Sequence, residues 1–369
     1  MYPDYRTQRF TSYRSTSNSE RDRELLRDLR VSDPRDDKER IERTKGGLLQ
    51  ESFRWILDHD DFRQWHDDGQ SRLLWITGDP GKGKTMLLCG IINELEKRPA
   101  DITLSYFFCQ ATDVRLNSAA AIIRGLLYLL LDQQPSLIER LRKKYDHTGK
   151  QLFEDVNSWD ALSKFFITIL QDQRLQNIYL VIDALDECAT GLSQLLHLIV
   201  QVSSSSQTKW LLSSRNRRDI EQIIRPVESR TRLSLELKEN AELVSRAVNA
   251  YIAQCISELA VLQGNKLLQD QVQREVRLKA DGTFLWVALV VQELRNAEIL
   301  EVMDIINDIP TGLDEFLLGG VAEGILQMSK LAYLAQMSIE DPKLSNLAQD
   351  GLRFIRANGT GIERSPLQV

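Results

Sequence analysis

One segment, residues 78–85 with the sequence GDPGKGKT, limits the possible folds of this chain more than any other feature. Its two outer glycines, lysine and threonine have the spacing of a phosphate-binding loop. The apolar run 73–77 leads directly into the segment, and the helical pattern of 86–95 leads directly out of it. Backbone N–H groups and the positive end of the helix dipole would then face the same position, which favours a bound anion. In this context a plain Gly-Pro turn before a helix is the weaker interpretation, and the segment predicts a nucleotide phosphate site.

Two residues of this loop are predicted to have different roles in binding the nucleotide. Lys84 would reach the β- and γ-phosphates, and the Thr85 hydroxyl would coordinate Mg²⁺. ATP and GTP both fit the pattern, because contacts to the base have no fixed sequence signature. The residues predicted to bind the nucleotide are Gly78, Asp79, Pro80, Gly81, Lys82, Gly83, Lys84, Thr85 and Met86.

A second cluster lies at 177–187, where the sequence NIYLVIDALDE places three carboxylates at the end of an apolar strand. Asp183 is predicted to hold the metal through a bound water. Asp186 and Glu187 are predicted to orient or deprotonate the attacking water. A lone aspartate after a strand is usually a helix cap. Three carboxylates within five residues, in a chain that also has a phosphate loop, favour metal and water chemistry.

A third apolar run, KWLLSSR at 209–215, ends in hydroxyls and an arginine. In P-loop proteins with an additional strand, this strand lies between the strand of the phosphate loop and the strand of the acidic cluster. Arg215 would therefore face the γ-phosphate and act in catalysis or sensing. The alternative is a solvated arginine in the cluster RNRR at 215–218. The four histidines show no spacing typical of a metal site or a catalytic triad.

The alternation of strands and helices predicts the fold class. Apolar, β-rich runs at 73–77, 102–109, 178–184, 209–213 and 232–237 alternate with helical patterns. This indicates an α/β P-loop NTPase with a parallel five-stranded sheet of the additional-strand type. Helical periodicity at 241–262, 267–279 and 284–294 predicts a small α-helical domain after it. The predicted divisions are a disordered arm (1–30), a lead-in segment (31–70), the NTPase domain (71–238), a helical domain (239–312) and a divergent tail (313–369).

Composition excludes several classes of protein. The chain carries 47 basic and 53 acidic residues, a net charge of −6, which gives no reason to expect nucleic acid or a membrane surface as a partner. Four scattered cysteines fit neither a disulfide framework nor a zinc site, and no apolar run approaches the roughly 18 residues of a membrane helix. The N-terminal 24 residues are similar in composition to a mitochondrial transit peptide, but acidic residues interrupt them and favour a disordered arm. We expect a cytoplasmic protein.

These motifs together resemble the NACHT subgroup of the STAND nucleotide switches. The motif DALDE at 183–187 has the small residue and the acidic pair of that family's extended Walker B motif. DPRDDKERIE at 33–42, TKGGLL at 44–49, FRWIL at 53–57, GDPGKGKTMLL at 78–88 and TFLWVAL at 283–289 are similar to fungal NACHT proteins. Those proteins often continue into WD repeats and include heterokaryon-incompatibility regulators. After residue 314 the sequence departs from the family's winged-helix pattern, which suggests a deletion, altered splicing or a truncated gene model.

The resemblance implies a signalling switch that binds ATP or GTP with Mg²⁺, hydrolyses it slowly and controls oligomerisation. Its partners would be copies of itself or related NACHT proteins, in non-self recognition or programmed cell death. The alternative is a shortened adaptor that binds nucleotide without cycling and competes with full-length relatives. A metabolic kinase or motor ATPase is less favoured, because no acceptor-substrate lid is visible and DALDE is unusual for kinases.

Overall fold

The computed structural model describes residues 20–98, 102–155, 157–225 and 230–313 of the 369-residue chain. Neighbouring strands pair in parallel, in the spatial order β2-β3-β4-β1-β5. Because β4 lies between β1 and β3, the predicted α/β fold with a five-stranded sheet of the additional-strand type is confirmed. The strands are β1 (Leu73–Thr77), β2 (Thr103–Phe108), β3 (Ile178–Asp183), β4 (Lys209–Ser214) and β5 (Arg230–Ser234).

Sixteen helices occur in the described part of the chain, and none of them is long and apolar enough to cross a membrane. Short 3-10 turns lie at Pro135–Leu137, Leu185–Glu187 and Ala260–Leu262. The helices are α1 (20–29), α2 (Pro34–Thr44), α3 (Gln50–Phe53), α4 (Trp55–Asp58), α5 (Asp60–Asp67), α6 (Lys84–Glu96), α7 (Ala119–Gln133), α8 (Glu139–Thr148), α9 (Gln151–Glu154), α10 (Ser158–Leu170), α11 (Leu192–Ser205), α12 (Arg218–Ile224), α13 (Lys238–Glu258), α14 (Lys266–Lys279), α15 (Phe284–Leu294) and α16 (Val302–Asp308).

The core of the sheet explains why the strands are so apolar. Every residue of β1, β2, β3 and β4 is buried, which requires cover on both faces of the sheet. Trp75, Trp210 and Phe107 are among the largest fully buried side chains. Helix α7 approaches β2 closely at Gly125, where a Cβ atom would lie 2.3 Å from the Phe107 ring. A glycine is therefore required at that contact, since any larger residue would push the helix away from the sheet.

Helix α1 corrects the prediction that residues 1–30 form a disordered arm. Residues 20–29 are helical, and Leu25 and Leu29 are fully buried. Arg124 of α7 donates hydrogen bonds to the carbonyl oxygens of Leu29 (2.9 Å) and Asp28 (2.8 Å), which the helix end leaves without a helical partner. Two fully buried leucines in the charged run ERDRELLRDLR form too narrow an apolar stripe for the sequence to reveal the helix. Residues 1–19 lie outside the described residues.

Leu25→Ala tests whether α1 is part of the folded core. We expect the free energy of unfolding, measured by urea denaturation, to fall by about 3 kcal/mol, because the substitution removes buried methyl groups and leaves a cavity. Arg23→Ala is the matched control, since Arg23 is exposed on the same helix and should change stability by less than about 0.5 kcal/mol. Equal stability of the two variants would mean that the helix does not pack on the domain.

Other differences from the predicted elements are local. The fifth strand was predicted at 232–237 as an apolar, β-rich run, whereas β5 covers Arg230–Ser234. Leu235 is buried and donates its N–H to the carbonyl oxygen of Thr77, but Leu237 is 56% exposed. The chain thus leaves the sheet edge before the apolar run ends. The short helices α8, α9 and α16 were not predicted, because each offers few turns over which periodicity can be read.

The chain divides into two compact units, one containing Met1–Asp79 with Lys84–Asn240 and the other Pro80–Gly83 with the chain from Ala241 onward. The second unit is α-helical where it is described, with Trp286 and Val290 fully buried. Lys279 donates to the carbonyl oxygens of residues 306, 307 and 309 and so stabilises the end of α16. The division after Asn240 lies two residues beyond the predicted limit at 238. The predicted tail lies, from residue 314, outside the described residues.

Candidate nucleotide-binding site

The residues predicted from separate motifs meet at one edge of the sheet, because the carboxyl ends of parallel strands lie together. The first unit supplies these residues from the ends of β1, β3 and β4 and from the start of α6. They are Gly78 and Asp79 after β1, Lys84, Thr85 and Met86 at the start of α6, Asp183 at the end of β3, Asp186 and Glu187 in the following 3-10 turn, and Arg215 directly after β4.

Lys84 is the first residue of α6, and its side chain reaches the two residues that follow β1. The ammonium group donates hydrogen bonds to the carbonyl oxygens of Gly78 and Asp79, the latter at 3.0 Å. Desolvation lowers the pKa of Lys84, while the carboxylates of Asp186 and Asp183 act in the opposite direction. The lysine is therefore held beside Gly78 and Asp79, close to both acidic groups.

The turn Pro80–Gly83 belongs to the second unit and has the backbone conformation that its glycines predict. Gly81 and Gly83 have φ angles of +77° and +84°, in the left-handed region. Residues with a Cβ atom adopt this region at a cost of about 1–2 kcal/mol, whereas glycine adopts it freely. The glycine spacing of the motif is thus a conformational requirement of the turn.

Asp183 is buried at the end of β3, next to the hydroxyl groups of Ser213 and Thr85. The Ser213 hydroxyl donates a hydrogen bond to Oδ1. Burial raises the pKa of Asp183, and the two hydroxyl groups act against that rise. The start of α6, at Thr85, therefore lies beside the acidic end of β3.

The side chains around Asp183 fit a magnesium ion. A threonine hydroxyl and a carboxylate are hard oxygen ligands, and Mg²⁺ in nucleotide sites takes one or two protein ligands beside phosphates and waters. Within the described ranges no three histidine, cysteine or acidic side chains converge to hold a metal, and a magnesium site of this kind needs no such cluster. When bound by Thr85 and Asp183, the ion would neutralise negative charge on the phosphates.

The backbone between the acidic residues makes a sharp turn at Ala184. This alanine has a φ angle of +54°, and its N–H donates to the Ser213 hydroxyl oxygen at 2.9 Å. A left-handed residue with a Cβ atom costs free energy, and such residues are enriched at functional sites. The turn brings Asp186 and Glu187 back to the edge of the sheet.

The two residues of the acidic pair have different partners. Asp186 is buried, and its Oδ2 lies 3.2 Å from Nε of the Arg215 guanidinium group. Its Oδ1 accepts a hydrogen bond from the backbone N–H of Arg215 at 3.0 Å. Glu187 instead accepts a hydrogen bond from the N–H of Ala111, at 2.9 Å. Burial raises the pKa of Glu187 to about 7, and the negative charges of Asp186 and Asp183 add to the rise. Asp186 is thus bound to Arg215, while Glu187 has the pKa of a general base at neutral pH.

Glu236 is a site residue that the sequence analysis missed. Its Oε1 accepts the N–H of Asp79, and its Oε2 accepts hydrogen bonds from Ser234 (3.0 Å) and from the Asn216 amide (3.3 Å). It connects the start of the phosphate loop with the segment that follows β4. One signal was available, since Glu236 lies two residues beyond the end of β5 and so at the same sheet edge.

The strand order, the phosphate loop after β1 and the acidic end of β3 define a P-loop NTPase fold. The family model described as the N-terminal region of nephrocystin 3 matches residues 51–215. The vegetative incompatibility protein HET-E-1 of Podospora anserina is 52% identical over 293 residues, which cover 78% of this chain and 22% of HET-E-1. The chain belongs with the HET-E-like fungal NACHT proteins, as its motifs indicated. The matched region spans less than a quarter of HET-E-1.

Similarity to solved structures is distant. Domain III of the replication initiation protein DnaA from Thermotoga maritima is 14% identical, with a TM-score of 0.35, covering 69% of this chain and 92% of that one. The Orc1 protein of Aeropyrum pernix, solved in complex with DNA, is 14% identical, with a TM-score of 0.36. The match covers 86% of this chain and 78% of the Orc1 chain. The fold assignment rests on the strand order and the phosphate loop rather than on these values.

Proposed function

We propose that the chain is a NACHT-type nucleotide switch that binds ATP or GTP with Mg²⁺ and hydrolyses it slowly. The bound nucleotide would control oligomerisation with copies of the same chain or with related NACHT proteins. The similarity to a vegetative incompatibility protein supports a role in non-self recognition or programmed cell death. Its four cysteines are free, and we propose that it acts in the cytoplasm.

One observation carries the proposal: Lys84, Thr85 and Asp183 come together although the acidic strand is about a hundred residues away in sequence. Lys84 donates hydrogen bonds to the carbonyl oxygens of Gly78 and Asp79, and the hydroxyl of the next residue acts to lower the pKa of Asp183. A phosphate-binding lysine beside an oxygen-rich metal position is the arrangement that a nucleoside triphosphate with Mg²⁺ requires.

Hydrolysis would use Glu187 as the base. Its carboxylate takes a proton from a water molecule, the water oxygen bonds to the terminal phosphorus, and the bond from that phosphorus to the bridging oxygen breaks. The nucleoside diphosphate leaves with the electrons of that bond. Arg215, which pairs with Asp186, would stabilise negative charge on the terminal phosphate.

Oligomeric state tests the switch. Light scattering after gel filtration should give a larger mass with Mg²⁺ and a non-hydrolysable ATP or GTP analogue than with the matching diphosphate. Lys84→Ala should keep the smaller mass with both nucleotides, because it removes the phosphate contact. A mass that is the same in every nucleotide state would contradict a switch in oligomerisation.

The pKa of Glu187 predicts how hydrolysis depends on pH. Only the carboxylate form accepts a proton, and its fraction rises from about a tenth at pH 6 to about nine tenths at pH 8 for a group with a pKa of about 7. Turnover at saturating nucleotide should therefore rise about tenfold across this range. The residual turnover of Glu187→Gln should not change with pH. A rise of equal size in that variant would assign the titration to another group.

A further inference from the structure

Two cysteines lie beside the proposed base and have no part in the chemistry described above. Cys109 directly follows β2, and Cys188 directly follows Glu187. Both are free thiols, and their exposed fractions are 3% and 4%. The other two cysteines, Cys89 and Cys255, lie within helices α6 and α13.

Backbone contacts on both sides hold the two cysteines together. The N–H of Cys109 donates to the carbonyl oxygen of Asp183 at 3.1 Å, and the N–H of Ala111 donates to Glu187. On the other side, the residue that follows Cys188 donates its N–H to the carbonyl oxygen of Asn117 at 2.7 Å. The segments 109–117 and 183–189 are therefore joined at both ends around the pair.

The two thiols also act on each other. Their interaction raises the pKa of Cys109 and lowers the pKa of Cys188, and the Cys188 thiol donates a hydrogen bond to the carbonyl oxygen of Thr190 at 3.4 Å. The pair thus lies on two adjoining segments, 79 residues apart in sequence, and a disulfide joins such cysteines where their Cα atoms come within about 7 Å.

We propose that Cys109 and Cys188 are a redox modification site, at which a peroxide forms a reversible disulfide that slows nucleotide hydrolysis. The thiol of Cys188 attacks one oxygen of hydrogen peroxide, which gives a sulfenic acid and one water. The thiol of Cys109 then attacks that sulfur, and a second water leaves. The two sulfurs are each oxidised by one electron, and the peroxide is reduced to two waters. A dithiol reductant reverses the change.

The bond would act on hydrolysis through the neighbouring base. An S–S bond of about 2.05 Å is much shorter than the separation of two sulfur atoms that are not bonded, so its formation draws the turn at 185–188 toward the end of β2. Glu187 moves with that turn, and a displacement of about 1 Å from a reacting water lowers a rate by up to roughly a hundredfold. Lys84 and Thr85 are not on the displaced turn, so nucleotide binding should persist. The effect on hydrolysis rests on the proposed function, whereas formation of the bond does not.

The test treats the full chain with hydrogen peroxide and makes two independent measurements. Peptide mass spectrometry detects a cross-linked peptide pair lighter by two hydrogens, and a turnover assay follows hydrolysis before and after dithiothreitol. Cys109→Ala and Cys188→Ala remove one thiol each, with little change of shape. Cys255→Ala is the matched control, since it removes a buried cysteine and leaves the pair intact.

We expect a Cys109–Cys188 peptide, a fall in turnover of roughly tenfold or more, and full recovery with dithiothreitol. Cys255→Ala should behave in the same way, and the two pair variants should resist peroxide. Absence of the cross-linked peptide in the folded chain would overturn the inference, as would a cross-link that leaves turnover unchanged. If the reduced chain shows no turnover at all, the proposed function fails, and the cross-linked peptide alone decides whether the modification site exists.

Discussion

Lys84→Ala should weaken the binding of ATP and GTP by at least roughly a hundredfold, which corresponds to about 3 kcal/mol. The side chain supplies a charge that is partly removed from water and lies on the carbonyl groups of the phosphate loop. Without it, the phosphates lose a charge-assisted contact that the remaining N–H groups of the loop do not replace. Isothermal titration calorimetry with Mg²⁺ and each triphosphate measures the change.

Lys97→Ala is the matched control for that variant. Lys97 lies one residue beyond the far end of the same helix and forms only an exposed ion pair, with Glu94. Exposed pairs contribute about 0–1 kcal/mol, so both the fold and the affinity should be kept. Equal affinity of Lys84→Ala and the unchanged chain would show that this loop does not bind nucleotide phosphates.

Glu187→Gln should leave triphosphate binding intact and lower turnover by roughly a hundredfold. The amide keeps the shape of the side chain but accepts no proton, and a general base contributes about 10²–10⁴ to the rate. Glu187 suits this role because burial brings its pKa to about 7 and because its carboxylate accepts a hydrogen bond from a backbone N–H rather than from a cation. Steady-state phosphate release, measured at saturating nucleotide, gives the comparison.

Asp186→Asn separates the two members of the acidic pair. The buried carboxylate of Asp186 pairs with Arg215, and loss of one partner of such an ion pair costs about 3 kcal/mol of folding free energy. We therefore expect Asp186→Asn to lower stability in urea, while Glu187→Gln does not. If Asp186→Asn slows turnover as much as Glu187→Gln without loss of stability, then Asp186 is the base.

The parts of the site that are local in sequence could be predicted, and those that depend on tertiary contacts could not. The glycine spacing of 78–85 and the apolar run before Asp183 are properties of short segments, and both give the observed elements. The different roles of Asp186 and Glu187 depend on Arg215 and on the backbone of Ala111. Both partners lie tens of residues away, so the sequence showed only an acidic pair.

Helix α1 and the contact of Glu236 with the phosphate loop were also not predicted, and for the same physical reason. Helix α1 is stable because Arg124, about a hundred residues downstream, bonds to its final carbonyl groups and because Leu25 is buried. Glu236 reaches the phosphate loop only because β5 lies next to β1 in the sheet. The sequence motifs predicted the position of β4 between β1 and β3, but no motif predicted that β5 pairs with β1.

A single-turnover experiment tests most directly whether the chain is a hydrolysing switch. The chain, in excess over radiolabelled ATP or GTP, is mixed with Mg²⁺, and diphosphate formation is followed over time. The proposed function predicts a slow, complete conversion with a single exponential, which Glu187→Gln slows and Lys84→Ala abolishes. Triphosphate that stays bound and intact on the unchanged chain would contradict hydrolysis and would instead indicate a nucleotide-binding adaptor that does not cycle.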